Sequence, residues 1–324
     1  MTPGYAVTVG ETMALFRSAE VGSVRRVRDF ELGTGGAESN VAIGLSRLGV
    51  ESHWIGRVGG DEFGARILRD LRAEGVHVHA VVDEEADTGL MIKERLTSQH
   101  TRVTYRRRGS AGSRIRPEDI ETERIAGAAL LHLSGVTLAL SGTARDALDR
   151  AVEIARAASV AVSFDVNHRS TLWSAEEAAG HHRRLAARAD VLFAGEDEAA
   201  VLLGRTAAGP PGRESSWRET VLGLAELGPA EVVLKLGEHG CLALVDGALR
   251  RQEAVPITPL DSVGAGDAFV AGYLAERLAG VPVEQRLLTA VRAGALACLA
   301  PGDWEGAPTR RSLEVLAAAD PVLR

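Results

Sequence analysis

The stretch Asp261–Leu278, "DSVGAGDAFVAGYLAERL", sets two glycines around an alanine, follows them with an aspartate and runs at once into an apolar helical pattern. Glycines before a helix let successive backbone N–H groups point at one spot, where the helix dipole adds partial positive charge. Such a spot holds anions, phosphate above all. Asp267 does not suit a resting phosphate, which its carboxylate would repel. It suits a group that takes a proton from an attacking hydroxyl while the N–H groups hold the charge on a phosphoryl group in transfer. The same residues also read as a tight strand-to-helix turn with an acid in the first helical turn. Taken alone, the stretch leaves both readings open.

Around it lies an ordinary α/β chain. Apolar residues make up 45% of the 324 and charged residues 25%, a soluble balance with room for a large core. Short β-branched runs alternate with helical patterns. "AVTVG" (6–10) reads as a first strand, and "ESNVAIGLSRLG" as a helix stopped by Gly49. "SHWIGRVG" precedes a helix that Asp61 caps and Gly75 ends. Further strands are expected at "ALLHLSG", "VAVSFD", "DVLFAG", "EVVLKLG" and "CLALVDG", the last followed by a basic turn. Such alternation predicts a doubly wound, mostly parallel sheet with helices on both faces. Leu15–Gly33 and Thr88–Ser110 break the pattern: polar and apolar residues alternate without helices, as in a few antiparallel strands standing off the main sheet. "AAGPPGRESS" (207–216) reads as a surface loop.

Composition excludes several classes. A net charge of −7 argues against a nucleic-acid binder. No apolar run reaches the length of a membrane span, and the first residues lack a secretory pattern, so a cytoplasmic location is expected. Two cysteines without C-x-x-C spacing suggest neither disulfides nor a zinc site. No G-x-G-x-x-G follows the first strand, which disfavours a dehydrogenase. His77 and His79 share one face of a strand and read as a solvated edge; His181 and His182, adjacent on a helix, cannot face one ligand. Of the 37 basic residues only Lys93 and Lys235 are lysine.

"DSVGAGDAF" resembles the C-terminal signature of the ribokinase-like (PfkB) carbohydrate kinases. "GGAESNVAIGLSRLG" (35–49) with "GRVGGDEFG" (56–64) resembles their N-terminal motif, and the two signatures stand more than 200 residues apart in the family's order. The resemblance spans the chain. It implies one ribokinase-like domain over 1–324 with a small β-sheet lid at about 15–33 and 88–110, using ATP and Mg²⁺. Carried over, Asp267 matches the catalytic base and Gly264, Ala265 and Gly266 the anion hole. Gly35, Gly36 and Asn40 match positions holding sugar hydroxyls. "KLGEHG" matches a nucleotide loop with Lys235, Gly237 and Gly240, and Asp261 falls on the same side. The family's N-x-x-E motif falls at Gly195–Glu198, where glycine stands for the asparagine and Glu198 is kept, an indirect partner for the metal.

Three further stretches resemble one branch, the 2-keto-3-deoxygluconate kinases. "RVTYRRRGSAGS" (102–113) places Tyr105 and Arg107 on that branch's lid element, "FDVNHRSTLW" (164–173) places Asn167 and Arg169, and "PGDWEGAP" (301–308) places Asp303. A sugar acid carries a carboxylate, and a guanidinium suits it; Arg107 is the expected partner. Arg106 and Met91 stand where the branch has tyrosines. A fructokinase-like neutral-sugar kinase is the alternative, a non-catalytic sugar-binding protein a more distant one. A homo-oligomer, formed through the lid, is expected.

Overall fold

The computed structural model describes residues 4–97, 100–205 and 214–314. In chain order its strands are Ala6–Val9 (β1), Met13–Val21 (β2), Phe30–Gly35 (β3), Ser52–Gly59 (β4), His77–Asp83 (β5), Leu90–Arg95 (β6) and Thr101–Arg106 (β7). Leu130–Ser134 (β8), Ala161–Asp165 (β9), Val191–Gly195 (β10), Glu231–Lys235 (β11), Cys241–Val245 (β12) and Ala248–Gln252 (β13) follow. The large sheet runs β13, β12, β11, β10, β9, β8, β1, β4, β5. It is parallel from β11 to β5, because helices carry the chain back between those strands.

Burial explains the apolar runs. β1, β4 and β8 are buried at every position, since helices cover both faces. One face holds a core around Leu131, Leu148, Phe164 and Leu234, the other a core around Leu45, Phe193, Phe269 and Tyr273. The expected stops hold: Asp61 accepts a hydrogen bond from the Gly64 amide at 2.7 Å, and Gly49 and Gly75 end their helices at φ +81° and +79°.

Two expectations need correction. The basic turn after Gly247 is β13, which pairs antiparallel with β12 and places Arg250 and Arg251 on the sheet's edge strand. The two helix-free regions form a separate sheet in the order β3, β2, β6, β7, but not a wholly antiparallel one. Each region folds as a hairpin, β2 with β3 and β6 with β7, and the hairpins join through a parallel pairing of β2 with β6. Met13, Leu15 and Met91 make the apolar face of this small sheet, with Val103 and Tyr105 against them. Leu90, Ile92 and Val103 of this sheet are half-buried. The loop expected at 207–216 lies mostly outside the described residues.

Strand order reverses at β1: β4 and β5 lie to one side, β8 to β11 to the other. In doubly wound sheets, ligands bind outside the carboxyl ends of the strands at such a point.

Candidate active site

The helix Ala265–Leu278 begins at Gly264, which holds φ +78° and packs so tightly that a Cβ there would stand 1.7 Å from the Asp303 carbonyl oxygen. Only glycine meets both demands. Asp267 follows in the first turn, 8% exposed. Asn40 Nδ2 donates to its Oδ2 at 2.8 Å and Asn167 Nδ2 to its Oδ1 at 3.4 Å. Asn167 is itself held in the left-handed region, φ +37°, a conformation asparagine tolerates better than most residues. Burial, helped by the charge of Asp165, pushes the Asp267 carboxyl up to about 7, although the Asn40 bond, Arg169 and Lys235 pull it down.

Of the residues expected on the sugar side, Asn40 and Asn167 touch Asp267 directly. Gly35 ends β3 against Asp303, leaving no room for a side chain, since a Cβ would stand 2.4 Å from Asp303 Oδ2 and 3.0 Å from Met91 Cε. The Gly36 amide donates to Asn40 Oδ1 at 3.4 Å. Asp303 is buried, its carboxyl pushed up to about 6 chiefly by that burial, and its Oδ1 accepts no hydrogen bond among the described residues. Burial raises the Tyr105 hydroxyl too, with the charges of Arg169 and Arg107 pulling it down and those of Asp303 and Asp267 pushing it up. Arg169 is exposed, and no hydrogen bond or ion pair of its side chain is found among the described residues.

Arg107 is not held as expected. It is buried, and its charge faces Glu11, with Nε donating to Glu11 Oε2 at 2.7 Å and Nη2 at 2.5 Å from the same oxygen. Ser110 donates to the other oxygen of Glu11. Nη2 makes no well-aligned hydrogen bond among the described residues. Its ring neighbour is Tyr105, 5.5 Å from Cζ.

On the other side, Lys235 ends β11. Its Nζ donates to Asp165 Oδ1 at 2.7 Å and Oδ2 at 2.9 Å, stands 3.9 Å from Glu198 Oε2, and lies 3.8 Å from where a Cβ on Gly266 would be. The carboxylates of Asp165 and Glu198 raise its pKa against the opposing effect of burial, so the ammonium stays charged beside the helix N-terminus. Glu198 spends both oxygens on backbone amides, Gly195 at 2.6 Å and His168 at 3.2 Å. Space for the asparagine missing at Gly195 is present, since a Cβ there would meet nothing closer than 3.5 Å. A cavity of about 570 Å³ opens from Lys235, Gly237, Gly240 and Gly266 onto an apolar wall of Val255, Ile257, Phe269, Val291 and Cys298.

Residues 4–310 match the pfkB family of carbohydrate kinases. The chain belongs to that family. It is 34% identical to a 2-dehydro-3-deoxygluconokinase of Bacillus subtilis over 95% of this chain and 94% of that one. It is 36% identical to a 2-dehydro-3-deoxygluconokinase of Thermoproteus tenax over 97% and 94%. The crystal structure of a 2-dehydro-3-deoxygluconokinase from Thermotoga maritima superposes with a TM-score of 0.88 at 26% identity, covering 97% of this chain and 99% of that one. The protein is a carbohydrate kinase of the 2-dehydro-3-deoxygluconokinase-like kind, with a ribokinase-like fold. Among the described residues no helix is long and apolar enough to cross a membrane.

Three side chains of the site were not singled out from sequence. Glu11 gives no signal there, being an acid after a strand. Asp165 sits inside the quoted "FDVNHRSTLW" and escaped notice beside Asn167 and Arg169. Lys93 carried one signal, its rarity. Its Nζ, on a side chain only 3% exposed, stands 2.5 Å from Asp261 Oδ2, donates to the Gly302 carbonyl at 2.9 Å and lies 3.6 Å from Asp303 Oδ1. Asp261, expected on the nucleotide side, is thus taken up by Lys93 and by the amides of Val263 and Gly302, at 3.2 and 3.4 Å. Both of the chain's lysines lie at this site.

Proposed function

We propose that this kinase transfers the γ-phosphoryl group of ATP to the terminal hydroxyl of a sugar acid, 2-keto-3-deoxygluconate or a close relative, giving the 6-phosphate. The observation that carries the reading is Asp267: a buried carboxylate in the first turn of a glycine-led helix, oriented by two asparagines and surrounded by sugar-side groups.

The sugar's hydroxyl approaches Asp267, which takes its proton as the oxygen attacks the γ-phosphorus. A new O–P bond forms, the bond from that phosphorus to the bridging oxygen breaks, and ADP leaves with the electron pair. The amides of Gly264, Ala265 and Gly266 and the Lys235 ammonium receive the charge that develops. Asn40 and Asn167 hold the carboxylate in line. Asp303 Oδ1, which accepts no hydrogen bond among the described residues, accepts one from a sugar hydroxyl in this reading. Gly35, lacking a side chain, lets Asp303 approach the backbone.

The cavity beside Lys235 fits a nucleotide: apolar walls for a base, with a lysine and a helix N-terminus at the phosphate end. Magnesium, when bound, neutralises phosphate charge. Glu198, with both oxygens already accepting backbone hydrogens, fits it through the metal's waters rather than as a direct ligand.

Arg107 and Arg169 support the acid over a neutral sugar, flanking Tyr105 where a carboxylate can be held. The second reading, a fructose- or tagatose-type substrate, draws on the Glu11–Arg107 pair, which already neutralises one guanidinium, and on Met91, an apolar wall in place of a tyrosine. Arg107→Ala would strand the buried Glu11, so Arg107→Lys, which keeps the charge and loses the fork, is the cleaner variant. Together with Arg169→Ala it is expected to lower kcat/KM for the sugar acid by about 10- to 150-fold per lost charge-assisted bond, and to spare fructose. Equal loss for both substrates in a coupled ADP-release assay would favour the neutral-sugar reading.

A further inference from the structure

At the far end of the large sheet a second cluster of ionisable side chains has no part in the kinase chemistry. β4 and β5 begin side by side, with His53 opposite His77 in the ladder. Their rings stack with centroids 4.6 Å apart, and His79 stacks on His53 at 5.2 Å. Glu51 lies just before β4. The pair His77 and His79, which sequence reading assigns to a solvated edge, therefore has partners brought by another strand. The cluster sits at the amino ends of the parallel strands, whereas Gly195 and Lys235 close the carboxyl ends of β10 and β11.

Glu51 Oε1 lies 3.0 Å from His53 Nε2, and His53 Nδ1 lies 3.0 Å from His79 Nε2, two hydrogen bonds that neutral rings satisfy with a hydrogen on each Nε2. His79 Nδ1 lies 3.4 Å from Glu121 Oε1, whose other oxygen is 3.6 Å from Arg124 Nε. With a hydrogen on each Nδ1 instead, His79 donates to Glu121 and His53 donates to His79. His53 Nε2 then turns a lone pair toward Glu51, and a cation between those two atoms selects this second arrangement. A bound ion held by an imidazole whose second nitrogen donates to an acceptor is a recurrent metal-site arrangement.

We propose that Glu51, His53 and His77 bind a divalent transition-metal ion, with zinc the reference case, and that His79 and Glu121 orient His53. One donor atom from each of the three lies within 4.8 Å of the others. Around tetrahedral zinc, donors stand about 3.3 Å apart, given metal–ligand lengths of about 2.0–2.2 Å. The Glu51–His53 pair already has that spacing, and the exposed His77 ring supplies the remaining movement of about 1.5 Å, within the range of a side-chain rotation. Two imidazoles and one carboxylate select zinc, nickel or copper over magnesium and calcium, which take oxygen. The fourth position is left to water. The ion would clip the start of edge strand β5 to β4, so it stabilises the sheet and does not touch catalysis.

The test is calorimetric titration of chelator-treated, full-length protein with Zn²⁺ in excess Mg²⁺, so that magnesium sites elsewhere are filled, with melting temperature read alongside. One equivalent is expected to bind with a dissociation constant in the micromolar range and to raise the melting temperature. His77→Ala and Glu51→Gln are each expected to weaken binding at least about tenfold, His79→Ala by about 10- to 100-fold, with kinase turnover of His77→Ala unchanged. Co²⁺ is expected to give the intense visible absorption of a tetrahedral site, lost in His77→Ala. No binding of Zn²⁺ or Co²⁺, as when the cluster takes only a proton, overturns the proposal. Wild-type affinity in His77→Ala overturns it equally.

Discussion

In the proposed reaction Asp267 is asked for two incompatible things. Catalysis wants it charged and desolvated; folding prefers a buried carboxyl neutral. Its carboxyl stands at about 7, so the free enzyme carries the base ionised only above that pH, and kcat/KM is expected to fall with acidity through about pH 7. The sign for stability is opposite. A carboxyl raised on folding stabilises the native state below its unfolded value of about 4 and loses that contribution as pH rises through about 7. Asp267→Asn removes the proton acceptor and the buried charge together. Turnover is expected to drop roughly 10²- to 10⁴-fold, while the melting temperature of the variant, relative to wild type, climbs between pH 4 and 8. Near wild-type turnover would remove Asp267 from the mechanism. This residue could be singled out from sequence because its setting is local: glycines, turn and acid are neighbours in the chain. Glu11 was not, because what makes it matter is Arg107, 96 residues away.

At the scale of elements, the small sheet reaches the site through Lys93. The lysine leaves β6 and ends among Asp261, Gly302 and Asp303, tying the sheet to the loop before the helix of Asp267 and to the loop of Asp303. Lys93→Met keeps the length of the side chain and removes the charge, leaving two poorly exposed carboxylates without their cation. A loss of about 10- to 100-fold in kcat/KM is expected, along with faster amide exchange in β6 and β7. Because Lys93 acts through Asp303, its effect is expected to be far less than additive with Asp303→Asn. Strict additivity and unchanged exchange would leave Lys93 a packing residue. Hairpins were readable from alternation; their joining was not. The β2–β6 pairing is parallel and non-local, and nothing within either hairpin encodes it. β13 was missed for a related reason: the run of arginine at 250 and 251 looked like a turn, but an edge strand tolerates charge on its open side.

At the scale of the molecule, the doubly wound sheet sets the conditions under which the chain stays folded. His132 and His182 are buried, and burial pulls each imidazole down to about 3. Both remain neutral in the native state while the unfolded chain protonates them from about pH 6.5 downward. Stability is therefore expected to fall steadily as pH drops from about 6.5 toward 3, and a melting series across that range checks it. His182→Gln is expected to flatten the slope; an unaltered slope would place the acid sensitivity elsewhere. The alternation of strands and helices made this architecture legible along the chain, since each segment's period reports its own burial. What the pattern withheld were the contacts between segments, Lys93 with Asp303 and His53 with His77.

Substrate choice is where the account meets its most direct test. Wild-type kcat/KM, measured by coupled ADP release for 2-keto-3-deoxygluconate, its galactonate epimer, fructose, tagatose and ribose, compares sugar acids with neutral sugars at one site. A charge-assisted contact to a carboxylate is worth about 1.5–3 kcal/mol, so a sugar acid is expected to exceed every neutral sugar by about 10-fold or more. Fructose or tagatose matching or beating both acids would contradict the account and give the site to a neutral-sugar kinase.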